Sequence, residues 1–115
     1  MATILIVDDD STTRMMSAGM LSAHDCVEAE HGESALTQLN AHTFDLVLTD
    51  LEMPVMNGLE LIHEIRRRYK DVPIVVMTGY YAEDIRQEAL DLGAQAILEK
   101  PFGLDRLINT LKPWL

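Results

Sequence analysis

The chain has a single cysteine, Cys26, so no internal disulfide can staple it. A lone thiol fits a small strand residue in a reducing compartment, and no His or Asn partner that would make it reactive is identifiable. Long apolar runs are also missing: none approaches the roughly 18 residues of a membrane span. The amino terminus, MATILIVDDD, has neither the basic start nor the long apolar stretch of a signal peptide. The expectation is a soluble, cytoplasmic protein with no membrane partner. Positive charge is scarce, with 9 Lys and Arg against 19 Asp and Glu and a net charge of −10. That balance opposes direct nucleic-acid binding, which needs clustered cations to displace counterions. The one basic run, Arg66-Arg67-Arg68, follows Glu64 and reads as the solvated end of a helix. No low-complexity tract or Pro/Gly/Ser linker divides the sequence, and its 115 residues suffice for one hydrophobic core. Residues 1–115 are read as one domain.

What is present is alternation. Four short apolar runs, Thr3–Val7, Asp45–Thr49, Pro73–Met77 and Gln95–Leu98, are apolar without a polar alternate, the pattern of strands covered on both faces. Cys26–Ala29 is a weaker fifth run, suited to a sheet edge. Between the runs lie helical stripes: Met16, Gly19 and Met20; Ala35, Leu36 and Leu39; Leu59, Ile62 and Ile65; Ala82, Ile85 and Ala89; Leu104, Leu107, Ile108 and Leu111. Ser11 is placed to cap the first helix, Asn57-Gly58 to break before the third, Gly93 to close the fourth and Pro113 to end the last. Gly19 and the short segment Ser22–Cys26 suggest a short or mobile first helix. Five strand-then-helix units make an α/β domain of (βα)5 type, a doubly wound parallel sheet with right-handed crossovers. Such sheets bind ligands beyond the carboxyl ends of their strands.

The residues at those ends carry chemistry. Asp8, Asp9 and Asp10 follow the first strand, Asp50 the third, Thr78 the fourth, and Glu99 and Lys100 the fifth. Carboxylates crowded on one rim repel unless a cation neutralises them, and a hard divalent ion with oxygen ligands, Mg2+ above all, fits. The Glu52 backbone carbonyl, in the loop stiffened by Pro54, can add a neutral oxygen to Asp8, Asp9 and Asp50. Lys100 and the Thr78 hydroxyl are donors for an anionic group such as a phosphoryl, which makes Asp50 a candidate nucleophile forming an acyl phosphate. Asp10 reads as a helix-start residue favoured by the helix dipole.

Ile4–Asp10 (ILIVDDD), Leu46–Leu61 (LVLTDLEMPVMNGLEL), Ile74–Gly79 (IVVMTG) and Leu98–Phe102 (LEKPF), in this order and spacing, closely resemble the receiver domain of bacterial two-component response regulators, with the chemotaxis-type single-domain architecture nearest. The resemblance covers essentially the whole chain. It implies a flavodoxin-like strand order 2-1-3-4-5 and a cis Lys100–Pro101 peptide bond. It implies Mg2+ on Asp8 and Asp9, transfer of phosphate from a histidine kinase or phosphotransfer protein to Asp50, and contacts from Thr78 and Lys100 to the phosphoryl group. It further implies a self-catalysed phosphoacceptor with slow autodephosphorylation, not an enzyme turning over an external substrate. The output is a shift in the face formed by the fourth helix, fifth strand and fifth helix, where a downstream protein or effector domain reads it.

The chain also departs from that pattern. Ile97 stands where the family usually has an aromatic whose swing accompanies activation, leaving Tyr80 or Tyr81 as substitutes. Glu52 and Tyr80 occupy positions that influence how readily water attacks the acyl phosphate in the family. The four histidines, His24, His31, His42 and His63, have no paired ligand spacing that would suit zinc. Met15, Met16 and Met20 read as gap-filling core and surface residues of one helix rather than a partner groove. A flavin-binding relative is disfavoured because Asp8-Asp9-Asp10 would repel a phosphate, and an aspartyl-phosphate hydrolase because Glu52 replaces a second aspartate. A pseudo-receiver that binds proteins without phosphorylation remains the alternative. The end at KPWL allows either a complete single-domain regulator, which the initiating Met favours, or a piece of a longer one. The partner kinase, oligomeric state and phosphate lifetime are not legible.

Overall fold

A computed structural model describes residues 1–79 and 82–115. Five strands, β1 (Thr3–Val7), β2 (Asp25–Ala29), β3 (Leu46–Asp50), β4 (Ile74–Thr78) and β5 (Ala96–Glu99), alternate with helices α1 (Ser11–Met20), α2 (Gly32–Ala41), α3 (Gly58–Arg68), α4 (Glu83–Leu92) and α5 (Leu104–Leu111). All strand pairs are parallel and the order is 2-1-3-4-5, the flavodoxin-like α/β arrangement expected. The peptide bond before Pro101 is cis. No described helix is long and apolar enough to cross a membrane.

Continuous apolarity in the central strands follows from two buried faces. Leu5, Val7, Val47, Ile74 and Val76 pack with Ala35, Leu36, Leu39, Leu61, Ile62, Ile65 and Ala89 of α2, α3 and α4. Their neighbours Ile4, Ile6, Leu46, Leu48, Val75 and Met77 pack on the other side with Leu21, Leu107 and Leu111. Because strand side chains alternate faces, each run has to be apolar at every position.

The strand ends differ by one residue from the sequence reading. Asp50, Thr78 and Glu99 are the last residues of β3, β4 and β5, because the ladder continues through them: Asp50 pairs with Met77 and Thr78 with Glu99. The cap of α1 is Asp10, not Ser11: Asp10 Oδ1 accepts from the Thr12 N–H at 3.1 Å and Oδ2 from the Thr13 hydroxyl at 2.7 Å. Those bonds hold the Asp10 carboxyl below its ordinary pKa, the Thr13 hydroxyl contributing most. Helix α1 is 10 residues long, the same as α2 and α4, so it is not short.

Its buried face also departs from the expected stripe. Ser17 is buried and Leu21, just past the helix, is sealed, whereas Met15 and Met16 are 66% and 57% exposed. The apolar periodicity of α1 marks a half-exposed flank because a small hydroxyl side chain, not a methionine, occupies the inward seat. Leu104 at the start of α5 is likewise exposed, and Ala82 is the residue before α4 rather than part of its stripe. At the other helix boundaries, Asn57 caps α3 in a reciprocal box with Glu60, and Gly93 closes α4 at φ 119, in the left-handed region where a side chain would be strained.

Candidate functional site

The crevice lies where the strand order reverses. β1 is flanked by β2 on one side and β3 on the other, so the connections leaving their carboxyl ends diverge and leave a groove between them. Asp8, directly after β1, and Asp50, the last residue of β3, flank it; both are almost fully buried, at 1% and 4% exposure, while Asp9 is exposed. One carboxylate oxygen from each of Asp8, Asp9 and Asp50 lies within 4.8 Å of the others. Among the described residues this is the one acidic, His or Cys group of that density.

Lys100, which follows β5, reaches across the sheet end. Its Nζ donates to Asp8 Oδ2 at 3.1 Å and lies 3.3 Å from Asp50 Oδ1. Burial alone would lower the pKa of this ammonium, but the Asp50 charge and the Asp8 bond outweigh it and raise the pKa. The lysine is therefore a fixed cation.

Asp50 is pushed the other way, to about 7. Burial is the largest cause and a hydrogen bond with the Glu52 carboxyl adds to it; Lys100 opposes the rise, and the charges of Asp8 and Glu52 reinforce it. One cation thus faces four carboxyls, those of Asp8, Asp9, Asp50 and Glu52, leaving three negative charges unbalanced if all are ionised. A closely spaced, oxygen-only donor set with excess negative charge fits a hard divalent cation such as Mg2+ and not a thiolate- or imidazole-seeking metal. Asp8, Asp9 and Asp50 would hold it.

The loop after β3 is folded tightly against the site. The Glu52 N–H approaches Asp50 Oδ1 at 3.4 Å, and the Gly58 N–H donates to the Leu51 carbonyl at 2.9 Å. A β-carbon on Gly58 would fall 2.5 Å from the Asp50 carbonyl oxygen and 2.6 Å from Leu51 Cα, so only glycine allows α3 to start this close to Asp50. Thr78, also nearly fully buried, donates its hydroxyl to Glu52 Oε1 at 2.7 Å. Burial would raise the Glu52 pKa, but this bond and the one with Asp50 prevail and lower it, keeping Glu52 ionised.

Asp8, Asp9, Asp50, Thr78 and Lys100 thus meet at one end of the sheet, whereas Glu99 pairs with Arg86 of α4 at 2.7 Å. Asp10 instead belongs to the α1 cap, although its N–H donates to Asp8 Oδ1 at 2.9 Å. Two participants escaped the sequence reading. The Glu52 side chain, noted there only as a flanking position beside the acyl phosphate, bonds Thr78 across 26 residues. Arg14 on α1 donates to the Asp8 carbonyl at 2.6 Å and pairs with Glu28 at 3.2 Å, bracing the first acidic residue from behind. Its signal was a lone cation one turn into the helix after Asp8-Asp9-Asp10. Ile97 is half-buried in β5, and Tyr80 and Tyr81, the alternatives to an aromatic there, lie outside the described residues. Two of the four histidines serve the backbone: His24 Nδ1 accepts from the Ala2 N–H, and His31 caps α2.

Comparison with known proteins agrees with this geometry. The model of the response regulator receiver domain family matches residues 4–112. The chain is 37% identical to the response regulator protein FleR of Pseudomonas aeruginosa over 110 residues, covering 94% of this chain and 23% of that protein. It is 34% identical to the DNA-binding transcriptional regulator NtrC of Salmonella typhimurium, covering 91% and 23%. It spans about a quarter of the length of these relatives. Among solved structures, the chemotaxis protein CheY4 of Vibrio cholerae superposes with a TM-score of 0.95 at 34% identity, covering 100% of this chain and 99% of that one. The receiver domain of NtrX from Brucella abortus does so with 0.92 at 34% identity, covering 97% of each.

Proposed function

Because the chain belongs to the response regulator receiver family, we propose that Asp50 accepts a phosphoryl group from the phosphohistidine of a histidine kinase or phosphotransfer protein in a Mg2+-dependent reaction. The observation that carries the reading is the cluster of Asp8, Asp9 and Asp50, with Lys100 Nζ 3.1 Å from Asp8 and 3.3 Å from Asp50. A carboxylate oxygen of Asp50 attacks phosphorus in line with the leaving imidazole nitrogen. The new bond is O–P, the bond broken is P–N, and its electron pair leaves with the imidazole. Attack needs ionised Asp50, and Lys100 favours that form against the burial that opposes it. The Lys100 ammonium and the Thr78 hydroxyl then face the phosphoryl oxygens as donors. Asp8, Asp9, Asp50 and the Glu52 carbonyl would hold Mg2+, which when bound would neutralise charge on the carboxylates and phosphoryl oxygens.

In this reading the protein is a self-catalysed phosphoacceptor that slowly loses its phosphate, not a turnover enzyme, and it acts in the cytoplasm. Its output is a population shift that begins at Thr78 and spreads over α4, β5 and α5, where a downstream partner or effector domain binds. Two contacts support a path: Thr78 pairs with Glu99 in the ladder, and Arg86 of α4 bridges Glu99 at 2.7 Å. Direct nucleic-acid contact by this domain is not part of the reading, given its net charge of −10.

Intact-mass spectrometry after incubation with acetyl phosphate tests it. The expected result is a gain of one phosphoryl mass that requires both Mg2+ and Asp50 and is absent with excess chelator or in Asp50→Asn. No gain in a folded, Mg2+-binding protein would replace this reading with that of a pseudo-receiver acting as a protein-interaction module.

A further inference from the structure

Thr78 has one hydroxyl proton, and in this structure it is given to Glu52. The bond is short, 2.7 Å, and its acceptor is a carboxylate, so it belongs to the stronger, charge-assisted class. A phosphoryl group on Asp50 presents only acceptor oxygens and would call on that same proton. One O–H cannot be directed fully at two anionic acceptors.

The two partners are unequally free. Thr78 is nearly fully buried at the end of a central strand, whereas Glu52 is exposed on the loop 51–57. The Glu52 backbone is tethered to the site through its N–H, which faces Asp50 Oδ1 at 3.4 Å, so the carboxylate stays near Thr78 even though its side chain is solvated.

We infer that Glu52 is a positioning residue that retains the Thr78 hydroxyl in the unphosphorylated arrangement and competes with the phosphoryl group for it. Glu52 therefore biases the resting protein toward the inactive state. The apparent affinity for a phosphoryl group falls with the fraction of molecules in which the hydroxyl is engaged. The inference rests on the phosphoacceptor reading of Asp50.

The test is a double-mutant cycle on the whole chain, with beryllium fluoride plus Mg2+ as a tetrahedral stand-in for a carboxylate-bound phosphoryl group. Affinity is read from amide NMR titrations, whose spectra also report that each variant is folded. Removing the competitor in Glu52→Ala should tighten binding by about 5- to 10-fold, within the net range of one typical intramolecular hydrogen bond. Glu52→Gln keeps an acceptor oxygen and should tighten it less. The same Glu52→Ala change in a Thr78→Ala background should alter affinity less than about twofold, because no hydroxyl is left to compete for.

Equal tightening in both backgrounds would reduce the effect to simple charge repulsion and overturn the inference. So would a Glu52→Ala variant that binds no better than wild type. Either outcome leaves Asp50 as phosphoacceptor, provided that wild type binds the analogue. A wild type that fails to bind it in the presence of Mg2+ overturns both readings together.

Discussion

At the amino ends of the strands, polar side chains complete the backbone. Asp45 Oδ2 accepts from the Thr3 N–H at 2.9 Å, His24 Nδ1 from the Ala2 N–H at 2.9 Å, and Gln95 Oε1 from the Ile74 N–H at 2.7 Å. Each closes a donor that the parallel ladder leaves open at its start. At the carboxyl ends, 15 to 20 Å away by the rise of about five residues, the polar side chains face one another instead. Asp8, Asp9, Asp50 and Glu52 crowd together beside a single lysine, and burial, reinforced by the Glu52 hydrogen bond and the charges of Asp8 and Glu52, lifts the Asp50 pKa to about 7. Polar side chains stabilise one end of the sheet and load the other with repulsion that only a cation can offset. Substitutions should therefore act in opposite senses at the two ends.

The largest effect should come from Gly58→Ala, on the loaded end. A β-carbon 2.5 Å from the Asp50 carbonyl meets backbone, which cannot rotate away. We expect a loss of about 3 kcal/mol in urea unfolding, together with slower phosphorylation by acetyl phosphate as β3 and α3 move apart. A variant of wild-type stability would mean that this end yields more readily than its close packing implies.

Next is Asp50→Asn, which should abolish phosphorylation yet raise stability in chelator by about 1–3 kcal/mol near neutral pH. The sign follows from linkage. A carboxyl whose folded pKa is raised from 3.8 to about 7 contributes stability below 3.8 and loses it as pH rises through about 7. Metal-free wild type should therefore weaken across that interval, and Asp50→Asn should flatten the slope. Urea midpoints at several pH values check both statements, and added Mg2+ should restore much of the wild-type deficit.

The opposite end offers the matched control. Gln95→Ala removes the acceptor of the Ile74 N–H and one of the acceptors of Arg66. The expected cost is about 1–2 kcal/mol for an unsatisfied buried donor, with the extent of phosphorylation by acetyl phosphate unchanged. Loss of phosphorylation here would blur the division between the two ends.

The sequence carries the loaded end more legibly than the rest. Strand cores stand out because two-sided burial forces continuous apolar runs, and a run that ends on Asp50 or precedes Lys100 puts its polar residue on the rim. The unread features depend on contacts remote in sequence or on side-chain size. No local pattern pairs Glu52 with Thr78, 26 residues on, or Arg14 with Glu28 on the neighbouring strand. Periodicity found the apolar residues of α1, but the inward seat holds Ser17 while Met15 and Met16 face outward. The amino-end caps were equally silent, since Asp45, His24 and Gln95 look like ordinary surface residues until the ladder shows which N–H lacks a partner.

Backbone strain provides the finest distinction between the two ends. Val55 is the one non-glycine with positive φ among the described residues, at 69°, and it is 96% exposed. The Met56 N–H donates to the Pro54 carbonyl at 2.8 Å, so Val55 is the centre of a three-residue turn of the rarer, strained hand. A β-branched side chain is poorly suited to this conformation, and an exposed one gains no packing in return. Asparagine adopts left-handed conformations at lower cost, so Val55→Asn should stabilise the fold by about 0.5–1 kcal/mol, read as a higher urea midpoint at unchanged slope. Val55→Gly should gain less, because it also enlarges the conformational freedom of the unfolded chain. If Val55→Asn instead lost stability while phosphorylation stayed intact, the turn would be held by interactions of the valine itself, and the strain would not belong to the loaded end of the sheet.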